Sequence, residues 1–361
     1  MHQLKTKTFI LLAGLLLSAC GPAAQTEAGS TPSPSVTPQP SSTATASPVP
    51  TQTLTPTITP TVTPAHPLSV EYLQQQNYSG ELTIEEEIDH QTSYTRYVVS
   101  YLSEGNKNYA LFTIPDGDAP ENGWPVIVFN HGYIQPDLYS TIYGYESYVH
   151  AFADHGYIVL RPDYRGHGKS EGEPQNSYFH QATTIDVLNA VAAVKQWETA
   201  DPDKIGMWGH SMGGWISMRA MVTDPDIRAG VIWGGAIGSF DDLCVHWFNC
   251  ANWDDATWVF WTETPFAEYG LPAENEAFWS AASVDTYLSD LQAAVQLHHA
   301  TTDAVVPVAL SRAMFEKMLA AGIAVELYEY PGDDHNLSQN FNTAMTRSLD
   351  FFDLHLKGTG D

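Results

Sequence analysis

From Leu68 onward, short apolar runs alternate with longer segments in which apolar residues recur at helical spacing. Runs of strand type at 95–102 and 108–114 flank Glu104-Gly105-Asn106, which predicts a hairpin. Pro125-Val126-Ile127-Val128-Phe129 and Tyr157-Ile158-Val159-Leu160 are continuous apolar runs of strand length, as expected of strands covered on both faces. Residues 143–155 between them read as helix, and residues 180–197 as a long amphipathic helix. Strand 204–208, helix 212–223 and strand 229–233 follow; strand 293–299, helix 307–321, strand 324–330 and helix 340–356 close the pattern. Residues 69–80 read as a short polar helix or irregular chain. Buried strands alternating with helices predict an α/β domain over 68–361, with a mostly parallel central sheet and helices on both faces.

Residues 238–290 break the alternation. They hold Trp247, Trp253, Trp258, Trp261 and Trp279, together with Phe240, Phe248, Phe260, Phe266, Tyr269, Phe278 and Tyr287. So aromatic an insertion predicts a lid over the strand ends that lines a pocket; the alternative is a small core packed on itself. Cys244 and Cys250 lie within it, and the five residues between them can turn far enough for a disulfide. They lack partners at zinc-ligand spacing, so no metal site is expected there.

The N-terminus changes the picture of where the domain works. Lys5 and Lys7 precede an apolar run from Phe9 to Leu17 that is too short to span a bilayer as a mature helix. The run ends Leu17-Ser18-Ala19-Cys20-Gly21, which resembles a bacterial lipobox. A signal peptide over 1–19 and lipidation of Cys20 are therefore expected, with the protein held in the cell envelope outside the cytoplasmic membrane. Residues 20–67 carry the lipidated cysteine and then a Thr-, Pro- and Ser-rich stretch that cannot bury a core, so they read as a disordered, extended tether. The formal charge of −27, with only 15 Lys and Arg, excludes a nucleic-acid partner, because phosphate binding needs cations.

The chemistry centres on Gly209-His210-Ser211-Met212-Gly213, with an apolar strand before it and a helix-compatible run after it. Strand, sharp turn and helix make this a nucleophile elbow, with Ser211 as nucleophile. A serine hydroxyl needs a base and a group that orients that base. His335, in the loop after strand 324–330, and Asp303, just past strand 293–299, fill those roles. All three follow the carboxyl end of a strand, where open α/β sheets place their sites. Asp333 and Asp334 are too near His335 in sequence to reach its Nδ1, and His298 and His299 read as structural. The oxyanion needs two amide donors. Met212, after the nucleophile, and Tyr133, in Asn130-His131-Gly132-Tyr133, are the candidates. Motifs for zinc hydrolases, redox dithiols, nucleotide phosphates and dinucleotides are missing, so no cofactor is expected.

Phe129-Asn130-His131-Gly132-Tyr133, the run from Arg161 to Gly172, and Gly209-His210-Ser211-Met212-Gly213-Gly214 together resemble the catalytic domain of the prolyl oligopeptidase group of α/β-hydrolases. The likeness covers about residues 95–358. It implies the α/β-hydrolase fold and serine-peptidase, acylaminoacyl-peptidase or esterase chemistry on a small peptide or ester. It also implies that Asp163-Tyr164-Arg165-Gly166 is a structural turn beneath the site. The larger peptidases of the group carry an N-terminal β-propeller. Here a leader, a tether and about 30 residues precede the domain, which raises plain carboxylesterase activity as the alternative. A surface binding protein that kept the fold and lost activity is the reading from another class.

Overall fold

The computed structural model describes residues 65–250 and 265–358. The leader, Cys20, the tether up to residue 64, and Trp253, Trp258, Phe260 and Trp261 of the insertion lie outside the described residues. Nine strands form one sheet: β1 (Thr83–His90), β2 (Tyr94–Ser103), β3 (Asn106–Pro115), β4 (Trp124–Asn130), β5 (Ile158–Pro162), β6 (Ala200–His210), β7 (Ile227–Trp233), β8 (Ala294–Ala300) and β9 (Val325–Tyr330). Their order is β1-β2-β3-β5-β4-β6-β7-β8-β9. The first three and β5 pair antiparallel, and β5 through β9 pair parallel. This is the α/β-hydrolase fold expected from the sequence.

The parallel strands alternate sides as a two-residue period demands. In β4, Val126 and Val128 join the core on one face of the sheet, while Ile127 and Phe129 join the core on the other. In β6, Ile205 and Met207 divide from Trp208 in the same way. β4 is the hinge of the topology. The chain leaves it for β5 on one side and returns to β6 on the other, so the loops after β4 and β6 diverge and open a crevice at the carboxyl ends.

Three features depart from the sequence pattern. β1 was not predicted, because Thr-Ile-Glu-Glu-Glu-Ile-Asp-His has no apolar alternation. It is an edge strand, largely exposed and kinked by two irregularities in its register with β2, and its charges discourage pairing with another chain. The helix expected over 180–197 is shorter, Ala182–Val194, and is buried nearly all round instead of being amphipathic. Its polar residues are satisfied internally: Asp186 accepts from Ser103 Oγ at 2.7 Å and from Arg165 Nη2 at 2.7 Å. The last helix, Phe341–Phe352, stops before the expected residue 356 and gives way to a wider π-type turn over Asp353–Lys357.

In the insertion, Trp279 is fully buried and packs against Phe240, Phe266 and Phe278, with ring centroids 4.5, 4.7 and 5.0 Å away. Part of this segment therefore does form a core of its own. Cys244 and Cys250 are joined by a disulfide, with their Cα atoms 4.9 Å apart.

Arg219 is buried in the helix Met212–Met221. Its guanidinium donates to the Leu68 carbonyl, the Ala282 carbonyl and Gln181 Oε1 at 2.7–2.9 Å, and it lies over the Trp215 ring. Burial pulls its pKa down to about 9, because neutral acceptors leave the charge less well solvated than water would.

Candidate active site

Ser211 joins β6 to the helix Met212–Met221 with φ +55° and ψ −119°, a conformation that L residues avoid. The turn is held on both sides: the Ser211 amide donates to the Trp233 carbonyl at 3.0 Å, and the Ser211 carbonyl accepts from Gly214 at 2.9 Å. Glycines are required around it. A Cβ on Gly209 would stand 2.6 Å from the Gly213 carbonyl oxygen, and one on Gly213 would overlap the Asn130 carbonyl. Backbone packing of this kind stores strain at the serine and pays for it through the surrounding bonds.

β8 and β9 end beside this turn. His335 Nδ1 lies 2.7 Å from Asp303 Oδ2. Asp303 Oδ1 accepts from the amides of Val305 and Val306 at 2.8 and 3.0 Å. Burial pushes the Asp303 carboxyl up, but the bonds from His299 and His335 outweigh it and hold the group well below the usual carboxylate range. Asp303 is therefore an anion that keeps a proton on His335 Nδ1. Gly234 makes room for the ring: a Cβ there would meet His335 Nδ1 and its carbonyl at 3.1 Å, and φ is +52°. Asp333 and Asp334 do not approach the imidazole nitrogen. They cap amides of their own loop: Asp333 takes Gln339 and Asn340, and Asp334 takes Asn336 and Ser338.

Ser211, His335, Met212 and Tyr133 line one cavity of about 450 Å³ with Tyr145, Tyr178, Trp247 and Phe248. Met212 is the first residue of its helix, so no earlier turn can accept its amide, and the helix dipole favours negative charge there. At the other candidate donor, His131 Nδ1 lies 2.7 Å from the Gly132 carbonyl. Burial holds His131 neutral, and its ring is stacked on Tyr164 and Tyr139. A carbonyl can only accept, so Nδ1 carries the proton and fixes the Gly132 carbonyl. The peptide is trans and planar, so the Tyr133 amide must point the opposite way. Tyr164 Oη also donates to the His131 carbonyl at 2.9 Å, which is how the Asp163-Tyr164-Arg165-Gly166 turn supports the loop.

Trp247 and Phe248 come from the disulfide-closed turn. Trp247 Nε1 donates to the Val305 carbonyl at 2.8 Å, two residues beyond Asp303. The described lining of the cavity holds no Asp, Glu, Lys or Arg. Among the described residues, no group of three or more His, Cys, Asp or Glu side chains is placed to hold a metal ion.

Two neighbours were missed in the sequence. His299 was read as structural, yet its Nε2 lies 3.3 Å from Asp303 Oδ2 and 2.9 Å from the Val306 carbonyl. Its Nδ1 accepts from Ser311 Oγ at 2.7 Å, so Nε2 carries the proton and shares it between the Val306 carbonyl and the Asp303 carboxylate. The four-residue spacing across a strand end was the available signal. Tyr145 had no signal of its own; its partner His210 lies 65 positions away. His298, by contrast, bonds Gln296 and Tyr330 inside the fold, as a structural residue does.

Residues 143–359 match the prolyl oligopeptidase family, peptidase S9. The chain is 22% identical over 259 residues to mouse dipeptidyl peptidase 8, an overlap of 69% of this chain and 26% of that protein. Its fold is similar to that of acetyl xylan esterase 1 from a Thermoanaerobacterium species, at a TM-score of 0.61 and 17% identity over 81% of this chain and 92% of that one. It is also similar to the Pyrococcus horikoshii acylaminoacyl peptidase, at a TM-score of 0.58 and 20% identity over 75% of this chain and 43% of that one. The chain spans less than half the length of the curated relatives it matches.

Proposed function

Because the chain belongs to the prolyl oligopeptidase family of hydrolases, we propose that it is a serine hydrolase in which Ser211, His335 and Asp303 form the catalytic triad. The observation that carries this is the 2.7 Å bond between Asp303 and His335 on a cavity shared with Ser211 at the strained turn. Ser211 Oγ attacks the substrate carbonyl carbon while His335 Nε2 takes its proton. The oxyanion is met by the amides of Met212 and Tyr133. His335 then gives the proton to the leaving alcohol or amine, and the acyl-serine is hydrolysed by a water activated in the same way.

The described wall is aromatic and uncharged, which favours a neutral acyl group: an ester, or an amide whose amino group is blocked. A free α-ammonium finds no carboxylate among the described lining residues. The second reading, a carboxylesterase on small esters, is favoured by the modest cavity. Both are separated by one panel: p-nitrophenyl acetate, a bulky aromatic ester, and aminoacyl p-nitroanilides with free and acetylated amines. The acetylated anilide should exceed the free amine by about tenfold or more in kcat/KM, the scale of leaving a buried charge unpaired. Trp247→Ala should change the bulky-to-acetyl ester ratio about tenfold, while acetyl ester turnover stays within about threefold. Preference for the free amine would overturn the neutral-acyl reading. An unchanged ratio would remove Trp247 from the pocket.

We also propose that Cys20 carries a lipid and tethers the enzyme outside the cytoplasmic membrane; the lipobox supports this. Cys20→Ser is then expected to move the protein to the soluble fraction or leave an uncleaved precursor. Correct processing with unchanged membrane retention would contradict it.

A further inference from the structure

One set of bonds around the nucleophile is not used by the triad. Gly132 N–H donates to Tyr145 Oη at 3.0 Å, Tyr145 Oη lies 2.7 Å from His210 Nδ1, and His210 Nε2 lies 3.1 Å from the His335 carbonyl oxygen. The direction of every bond follows from one fact. The His335 carbonyl can only accept, so His210 carries its proton on Nε2. His210 Nδ1 is then an acceptor, and the Tyr145 hydroxyl must donate to it. The tyrosine oxygen, left with its lone pairs, accepts from Gly132.

We propose that Tyr145 and His210 are positioning residues: a strut that spans the nucleophile and fixes the distance between the oxyanion loop and the base loop. The inference rests on the triad reading above. At one end it holds the peptide on the near side of Gly132, whose far side His131 already fixes, so the Tyr133 amide has little freedom left. At the other end it holds the backbone of His335 itself. His210 is next in sequence to Ser211, so the strut crosses directly beside the reacting oxygen.

The rest of the structure stiffens it. Tyr145 occupies the left-handed region, with φ +60° and ψ 21°, although it is not glycine. The turn that presents it is gripped by the buried Arg161, whose guanidinium donates to the carbonyls of Ser140, Thr141, Tyr143 and Gly144. The His210 ring is buried beside His335, with centroids 4.7 Å apart. Burial, reinforced by that neighbour, lowers its pKa to about 4, so it keeps a lone pair on Nδ1 at neutral pH.

A strut differs from mere packing in how its losses combine. Tyr145→Phe removes the hydroxyl and keeps the ring against Phe129 and Trp208. His210→Gln keeps a donor toward the His335 carbonyl and drops the bond to Tyr145. If the two act as one element, each single substitution breaks it, and the double variant has nothing further to lose.

The test is a double-mutant cycle on p-nitrophenyl acetate hydrolysis in the full chain, with the unfolding midpoint of each variant measured alongside. Each single substitution is expected to lower kcat by about tenfold to a hundredfold, the range for sub-ångström to ångström misplacement of reacting groups. KM should stay within about twofold, and the double variant should fall within about twofold of the worse single one. Should His210→Gln fail to fold, His210→Asn, which keeps the acceptor for Tyr145 and loses the His335 bond, completes the same cycle. Costs that multiply, or variants that keep kcat within about twofold of the wild type, would overturn the strut. Neither result touches the triad, which stands or falls on Ser211 separately.

Discussion

Ser211→Ala is expected to lower hydrolysis by several orders of magnitude and to abolish labelling by a fluorophosphonate probe. The probe reacts with an activated serine oxygen, and the variant has none. Removal of a triad nucleophile typically leaves only the residual catalysis of the oxyanion site and binding, a loss on the order of 10⁶. The fold should survive, because Ser211 contributes its backbone to the turn: its amide and carbonyl bond Trp233, Gly214 and Ala236, and these bonds do not involve the side chain. Labelling that persists in the folded variant would move the nucleophile elsewhere and with it the whole reading of the site.

Asp303→Asn should cost roughly 10⁴ in kcat with the fold retained. The reason is hydrogen-bond arithmetic. Asp303 Oδ1 accepts from the two amides of Val305 and Val306, and Oδ2 accepts from His335 and His299. An asparagine has one oxygen for these donors. Satisfying the two amides turns its NH₂ toward His335 Nδ1, which must then become an acceptor. The proton moves to Nε2, the atom that has to receive the serine proton, and the base is blocked in its ground state. Turnover of a p-nitrophenyl ester and the unfolding midpoint, measured together, separate this tautomer effect from loss of structure. Activity above about a tenth of the wild type would mean that another carboxylate orients the histidine.

What the sequence displayed follows from the range of the interactions involved. The elbow around Ser211 is local: its glycines, its strand and its helix are contiguous, so the pattern is legible. Strands β4 to β8 were legible because burial on both faces leaves an apolar run. The edge strand β9 was legible through Val325, Leu327, Tyr328 and Tyr330 despite its two glutamates, whereas β1 carries mostly charge and shows no such run. The helix Ala182–Val194 misled for a related reason. Its Asp186 and Asn189 look like a solvent face, and only the distant Arg165 and Ser103 show that they are buried and satisfied. At the site, strand-end placement put Asp303 and His335 forward as candidates, and the fold brings their side chains to 2.7 Å. The groups around them come from separate elements and leave no periodic trace: Tyr145, just before the helix Glu146–Asp154, reaches His210 at the end of the central strand β6, and His299 braces the acid from inside β8. The aromatic insertion divided between two readings. Trp279 packs inward, while Trp247 and Phe248 reach the cavity, and composition alone could not assign rings to either.

The buried Arg219 sets where a mechanical load would stop. The chain enters the domain near His66, and two residues later the Leu68 carbonyl is held by both Arg219 and Gln181. Gln181 also takes the Ser69 carbonyl, and Arg219 is tied back to Ala282. Tension drawn along the preceding segment therefore meets a multiply bonded knot in the low-dielectric interior before it can peel the first helical turn or shear β1 from β2. That knot sits near the far end of the helix whose first residue follows Ser211, so load taken up by the bonds of Arg219 to Gln181 and Ala282 is diverted into the interior before it reaches the serine end of that helix. Any pull on the chain ahead of His66 is thereby borne by Arg219 and Gln181 and not by the turn at Ser211.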